Sequence, residues 1–376
     1  MSKPVEINNE LITWAISRAG YELQNFAEKF PRVTDWLEGT KKPTIPQLKK
    51  FANKVKLPFG YLFLDRPPEE TLPIPYYRTL QGETREIDLN VRDTILMLQK
   101  RQEWLQEYYI ERDYDRLEFV GKFNETDTKE DIIRDIRDTL GLQKDWARNH
   151  ANWQNALKAL SQKCEEHRII LVFNSIVGNN THRPIPVEEC RGFVLVDEYA
   201  PFMFINSADT KAAQMFTLIH ELAHIWIGKS AAFDFRKLQP TDNQIETLCD
   251  QIAAEFLVPE DLFEQEWQQL QDFKLLAKKF KVSPIVIGRR ALDLHKISRD
   301  TFFDFYNDYM DQFFKKKESQ GGGGNFYATL KYRLNPRFLA EVNRAAKQNK
   351  LLYRNAYELT GLRSETYHNA IKELGV

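Results

Sequence analysis

KAAQMFTLIHELAHIWIG, residues 211–228, is apolar on nearly every side at helical spacing and ends on a glycine, a natural C-terminal stop for a helix. Ala212, Ala213, Met215, Phe216, Leu218, Ile219, Leu222, Ala223, Ile225, Trp226 and Ile227 leave no broad polar face, so the spacing predicts a buried helix. His220, Glu221 and His224 interrupt its second half. Residues four apart lie one turn above each other, so the His220 and His224 imidazoles project from one face toward a common point. Glu221 sits about 100° round from His220, within reach of a water held at that point. A His-Glu-x-x-His run on a helix is the smallest sequence of a zinc-hydrolase site. The competing reading is a pair of core histidines, each satisfied by a neighbour.

An open zinc site needs a third protein ligand on a later element. Asp242, Glu246, Asp250 and Glu255 all follow within reach, and residues 244–258, QIETLCDQIAAEFLV, read as a second amphipathic helix ending at Pro259. Glu246 and Asp250 share one face of it with Ala253 and Leu257, whereas Glu255 lies about 180° from Glu246 and cannot serve the same site. Asp242 precedes the helix and depends on a loop for its placement. The Glu246-x-x-x-Asp250 spacing resembles that of gluzincin-type peptidases, in which the Glu binds zinc and the following acid orients a ligating His. That resemblance makes Glu246 the expected third ligand, with Asp250 fixing an imidazole tautomer. A solvated acidic helix face is the alternative. Zinc on His220, His224 and Glu246 would activate a water whose proton Glu221 accepts and returns to the leaving amine.

RGFVLVD (191–197), APFMFIN (200–206), residues 211–228 and IETLCDQIAAEFLVPE (245–260) together resemble the ImmA/IrrE family of metallo-endopeptidases, over roughly residues 190–260. The resemblance implies a zinc peptidase tied to transcriptional control, with a repressor or other regulatory protein as substrate or binding target. Residues 169–173, 192–196 and 202–205 are short branched and aromatic runs that read as a small antiparallel sheet. An edge strand beside the zinc helix can hold an extended peptide, or simply cover the helix. Tyr76, Tyr77 and Arg78 are oxyanion candidates by resemblance alone; a linker whose aromatics dock on a domain surface is the plainer reading.

The first 66 residues stand apart. LITWA from Leu11, residues 23–30 and residues 45–52 read as amphipathic helices, with TDWLEG and KKPT marking a turn. Residues 6–66 resemble an Xre/Cro-type helix-turn-helix domain, which lays one helix in the DNA major groove. Eleven Lys and Arg stand against seven Asp and Glu over residues 1–66, in a chain of net charge −1, which suits a phosphate-facing surface. Arg32, Thr34, Lys41 and Lys42 are the candidate DNA contacts. Pro31 suits a first helical turn, but Asp35 and Glu38 repel phosphates, so a degenerate domain that recognises a protein is the second reading.

Four prolines between Arg66 and Tyr76 mark a linker, assigned to 67–85. Residues 86–112, 129–140 and 150–165 read as scaffold helices, with Asp127 or Thr128 as a cap and His150 and His167 as packing residues. LLAKKFKVSPIVIGRRALDL (275–294) has the spacing of another helix-turn-helix; the resemblance to related peptidases implies a helical pair packed on the catalytic core rather than a DNA contact, with Arg289 and Arg290 able to line a basic surface. Glycines 321–324 read as a linker, placed at 319–324. Residues 325–376 carry nine Lys and Arg against four Asp and Glu, and YRNAYELTGLRSETYHNAIKEL reads as helix, glycine turn, helix: a nucleic-acid or partner module, or a helical cap.

A chain of 376 residues with 42% hydrophobic residues supports two or three domains and a substantial core. The expected fold is mainly α with a small antiparallel sheet, α+β overall. It comprises an all-α N-terminal domain (1–66), a zincin-like, gluzincin-type central domain (86–318) and a small helical C-terminal domain (325–376). No run of about eighteen apolar residues appears, and MSKPVEINNE lacks a signal-peptide stretch, so no membrane association is expected. Cys164, Cys190 and Cys249 are odd in number and lack metal spacing, as reduced thiols of a cytoplasmic protein would. Three functions remain open: a zinc endopeptidase acting on a regulatory protein; a DNA-binding regulator or antitoxin of a toxin–antitoxin pair that binds its partner without cutting; and a structural zinc site. The last leaves Glu221 without a task. A homodimer is one open assembly state.

Overall fold

The computed structural model describes residues 4–68, 79–80, 83–84, 87–233, 244–317 and 326–376. Two compact units emerge, the first running up to Asp93 and the second holding Thr94–Val376.

Four short helices build the first unit: α1 (Asn9–Arg18), α2 (Leu23–Lys29), α3 (Arg32–Leu37) and α4 (Ile45–Lys54). The turn expected over TDWLEG starts only at Glu38, because Val33 and Trp36 point inward and carry helical spacing through Leu37. Phe26, Phe30, Trp36 and Phe51 pack in its core with ring centroids 5.6–6.0 Å apart, Phe26 stacked on Phe30 and the other pairs edge to face, with Leu48, Val55 and Leu62 around them. Thr44 opens α4: its N–H donates to Gln47 Oε1 at 2.8 Å, one half of a capping box. A two-residue antiparallel ladder joins β1 (Thr79–Leu80) to β2 (Glu83–Thr84).

In the second unit, α5 (Leu89–Ile110, of which Thr94 onward belongs here), α6 (Lys129–Leu140) and α7 (Trp153–Glu166) precede a four-stranded sheet of β3 (Ile170–Asn174), β4 (Gly192–Leu195), β5 (Phe202–Asn206) and β6 (Ala231–Phe233). Thr128, one of the two expected caps, accepts the Asp131 N–H at 3.2 Å to open α6. The sheet order is β3-β5-β4-β6, and the sheet is mixed rather than antiparallel: β3 runs parallel to β5. The β4–β5 hairpin turns at Asp197, whose Oδ1 accepts the Tyr199 and Ala200 N–H groups at 2.9 and 2.7 Å. Residues 175–191 return the chain so that β5 falls between β3 and β4. Alternation in sequence specifies the faces of a strand, not its neighbours.

Both faces of the sheet are covered. Val194, Met203 and Ile205 join the core around α8 (Lys211–Ile227), while Phe202 on the other face meets Phe338 edge to face at 5.7 Å. Fifteen of the seventeen α8 residues are buried, which is why the segment is apolar all round. Thr210 Oγ1 accepts the Ala213 N–H at its start. At its end Gly228 adopts φ 75°, and the N–H groups of Gly121 and Phe123 reach the Ile225 and Trp226 carbonyls at 2.9 and 3.0 Å.

The helices α9 (Gln244–Leu257), α10 (Glu260–Gln269), α11 (Phe273–Phe280), α12 (Pro284–Asp293) and α13 (Arg299–Lys317) follow. Ser283 caps α12 as a helical-pair turn requires. Arg290 does not line a surface: it is buried, its Nε donates to the Val258 carbonyl at 3.1 Å, and its guanidinium pairs with Glu255. Four C-terminal helices, α14 (Phe326–Leu334), α15 (Pro336–Lys347), α16 (Tyr353–Thr360) and α17 (Ser364–Leu374), belong to this same unit. Asn335 Nδ2 donates to the Leu171 carbonyl of β3, and Arg101 of α5 is buried with its Nε on the Leu359 carbonyl at 2.8 Å. Among the described residues, no helix is long and apolar enough to cross a membrane.

Candidate metal centre

α8 lies against α9, and the contact is made where both helices carry charge. His220 Nε2, His224 Nε2 and the Glu246 carboxylate face one another: 3.2 Å between the two imidazole nitrogens, 3.2 Å from His220 to Glu246 Oε2, and 3.3 Å from His224 to Glu246 Oε1. These three residues form a buried cluster able to hold a metal ion. Donors at 2.0–2.1 Å round a tetrahedral zinc stand about 3.3 Å apart, and the three separations, two of which end on different oxygens of Glu246, are of that size. Asp250, one turn beyond Glu246 and partly exposed, lies with Oδ1 3.0 Å from His220 Nδ1. As acceptor it fixes the proton on Nδ1 and leaves Nε2 turned to the centre.

The local charges explain the proton inventory without a cation. Burial opposes protonation of His220, but the Asp250 and Glu246 carboxylates beside it prevail and raise its pKa to about 10. Burial likewise pushes Glu246 up, yet the two imidazoles hold its carboxyl well below the usual range. His224 is lowered by burial and stays neutral. Glu221 is fully buried; burial drives its pKa well above the carboxylate range, and among the described residues neither carboxylate oxygen has a hydrogen-bond partner. Glu221 thus lies buried beside the three converging side chains of the cluster. Burial raises the Cys249 thiol, with Glu246 and Asp250 adding to the effect.

One residue of this neighbourhood escapes a motif search. A Cβ on Gly192 of β4 would stand 2.4 Å from Thr217 Cγ2, 2.9 Å from the Phe204 carbonyl and 3.2 Å from Glu221 Oε1, so only glycine lets the strand close on the helix here. The glycine of RGFVLVD at a strand start was its only signal. The edge of β4 is not open for a peptide, since β6 pairs with it from Val194 to Gly192. Asp242 and the oxyanion candidates Tyr76, Tyr77 and Arg78 lie outside the described residues.

The N-terminal candidates are scattered by comparison. Arg32 and Thr34 are exposed on α3, but Lys41 lies 3.0 Å from Asp35 and Lys42 lies 3.0 Å from Glu6. The hydrogen bond from Lys41 holds the Asp35 carboxyl below its ordinary value. Beside Arg32 a shallow recess is lined by Lys29, Phe30, Pro31, Gln47 and Lys50.

Comparison with curated proteins gives no match. Residues 334–373 match the model of a domain of unknown function, DUF8813. Residues 164–292, from α7 to α12 and including every member of the His–His–Glu cluster, match the family model of the IrrE N-terminal-like domain, Peptidase_M78, and so resemble a metallopeptidase of the ImmA/IrrE type.

Proposed function

We propose that this chain is a zinc-dependent endopeptidase that hydrolyses a peptide bond in a regulatory protein. The carrying observation is the convergence of the His220 and His224 Nε2 atoms and the Glu246 carboxylate at 3.2–3.3 Å, with the Glu221 carboxyl, partnerless among the described residues, one residue from His220. Zinc, when bound, supplies Lewis acidity that lowers the pKa of water and polarises the scissile carbonyl. His220, His224 and Glu246 hold it, and Asp250 orients His220. Glu221 takes the proton of the attacking water and passes it to the leaving amine. The experiment compares metal content and cleavage, by the parent and by Glu221→Gln, of proteins captured with the chain from cells. Zinc retained in both with cleavage lost in the variant supports the peptidase; absence of stoichiometric metal in both removes it.

A second reading, a regulator or antitoxin that binds a toxin or other partner without cutting it, is favoured by the complete burial of His220, Glu221 and His224. Equal partner capture with no cleavage by either protein selects it. In both readings the first unit delivers the chain to DNA through Arg32 and Thr34. Lys41 and Lys42 contribute only after leaving Asp35 and Glu6.

A further inference from the structure

The C-terminal three helices, outside the metal centre, combine a turn, a face and a charge that belong together. α16 ends on Gly361 at φ 67°, and only Gly361, Leu362 and Arg363 separate it from α17. The interior of this corner is complete: Ala356, Leu359, Thr360, Leu362, Tyr367 and Ala370 are buried, and both helices pack on α15. A three-residue turn with a left-handed glycine between two helices on a shared third helix is the build of a helix-turn-helix unit. It is better formed than the N-terminal one, whose candidate reading helix α3 has six residues against eleven in α17.

The outward side of α17 is the part a packing role leaves unexplained. Glu365, His368, Asn369 and Lys372 recur at i, i+3, i+4 and i+7 and are all exposed, a polar stripe along an amphipathic helix. Asn and Lys are side chains that hydrogen-bond base edges, Asn to adenine and Lys to guanine. Lys347 at the end of α15, Lys350 in the turn after it and Arg363 immediately before α17 are exposed and, among the described residues, without an ion-pair partner. Glu341 is paired with Arg344 of the same segment and Glu358 with Lys100, so the balance of nine Lys and Arg against four Asp and Glu over residues 325–376 stays positive.

We infer that α15–α17 form a double-stranded DNA-binding unit, with α17 entering the major groove through Asn369 and Lys372 while Lys347, Lys350 and Arg363 meet the phosphates. An eleven-residue helix is about 16 Å long, enough to lie along a groove about 12 Å wide. The inference is independent of the metal centre.

The test uses the full chain and a fluorescein-labelled duplex of mixed sequence, about 30 bp long, at about 50 mM KCl, read by fluorescence anisotropy. Binding by the parent, an affinity at least about tenfold weaker in Arg363→Glu/Lys372→Glu, and a salt slope reduced by about one, for the single phosphate contact removed with Arg363, are expected. Unchanged thermal unfolding shows that the double variant is folded. Selection from a randomised duplex pool supplies a second readout, in which Asn369→Ala loses the sequence preference of the parent. No binding by the folded parent overturns the inference, as does equal binding by the double variant or a loss confined to Arg32→Glu. Tighter binding to single-stranded RNA of the same length overturns the groove assignment.

Discussion

Asp250 reaches the metal centre only through His220, and its effect should be correspondingly graded. Asp250→Asn removes the charge that fixes the Nδ1 proton, and zinc affinity should fall about 10- to 100-fold in a chelator competition. An unchanged affinity would take Asp250 out of the site. The same pairing predicts a pH dependence. In the metal-free chain, against the opposing effect of burial, Asp250 and Glu246 keep His220 protonated up to about pH 10 instead of 6.5. A cation must displace that proton, so zinc affinity should rise about tenfold per unit as pH increases across neutrality. Titrations giving one affinity at pH 6.5 and 8.5, to within about twofold, would contradict the assignment. Helical periodicity made it legible that His220 and His224 share one face, and Glu246 and Asp250 one face of the next helix, whereas choosing Glu246 as third ligand rested on the gluzincin resemblance. Gly192 was not legible, because its role depends on the distance between a strand and a helix.

Among the elements, α8 is held at both ends by contacts outside itself. A Cβ on Gly228 would meet Gly121 Cα at 2.9 Å, on a residue at φ 75°. Gly228→Ala should therefore cost about 1–2 kcal/mol or more, read from the urea midpoint of the metal-free chain. A midpoint within experimental error of the parent would mean that 117–123 does not brace the helix. The helices themselves were legible over residues 129–140, 211–228 and 244–258, where apolar spacing and end signals agree. The sheet was read only in part: three of its strands appeared in the pattern, but Ala231–Phe233 has too short a run to announce a strand. The parallel pairing of β3 with β5 arises from the path of 175–191, which no local propensity encodes.

At the scale of the whole molecule, two separate cores imply two responses to metal removal. Saturating zinc at about 100 times its Kd stabilises the unit that holds it by about 2.7 kcal/mol. Calorimetry with EDTA should lower the transition of the second unit, restore it on zinc addition and leave that of the first in place. Equal movement of both, or of neither, would count against a metal confined to the His–His–Glu cluster. The C-terminal charge balance was legible in composition, whereas the burial of Arg101 against Leu359 was not, since a lone arginine in a long helix carries no sign of its partner 258 residues away. Within the second unit α8 is both keel and reagent, and these two duties conflict at Glu221. A buried carboxyl without partners works against folding, so Glu221→Met should raise the metal-free urea midpoint by the equivalent of about 1–3 kcal/mol. A population selected for stability alone would discard this residue early; the proposed reaction is what gives the chain a reason to keep it.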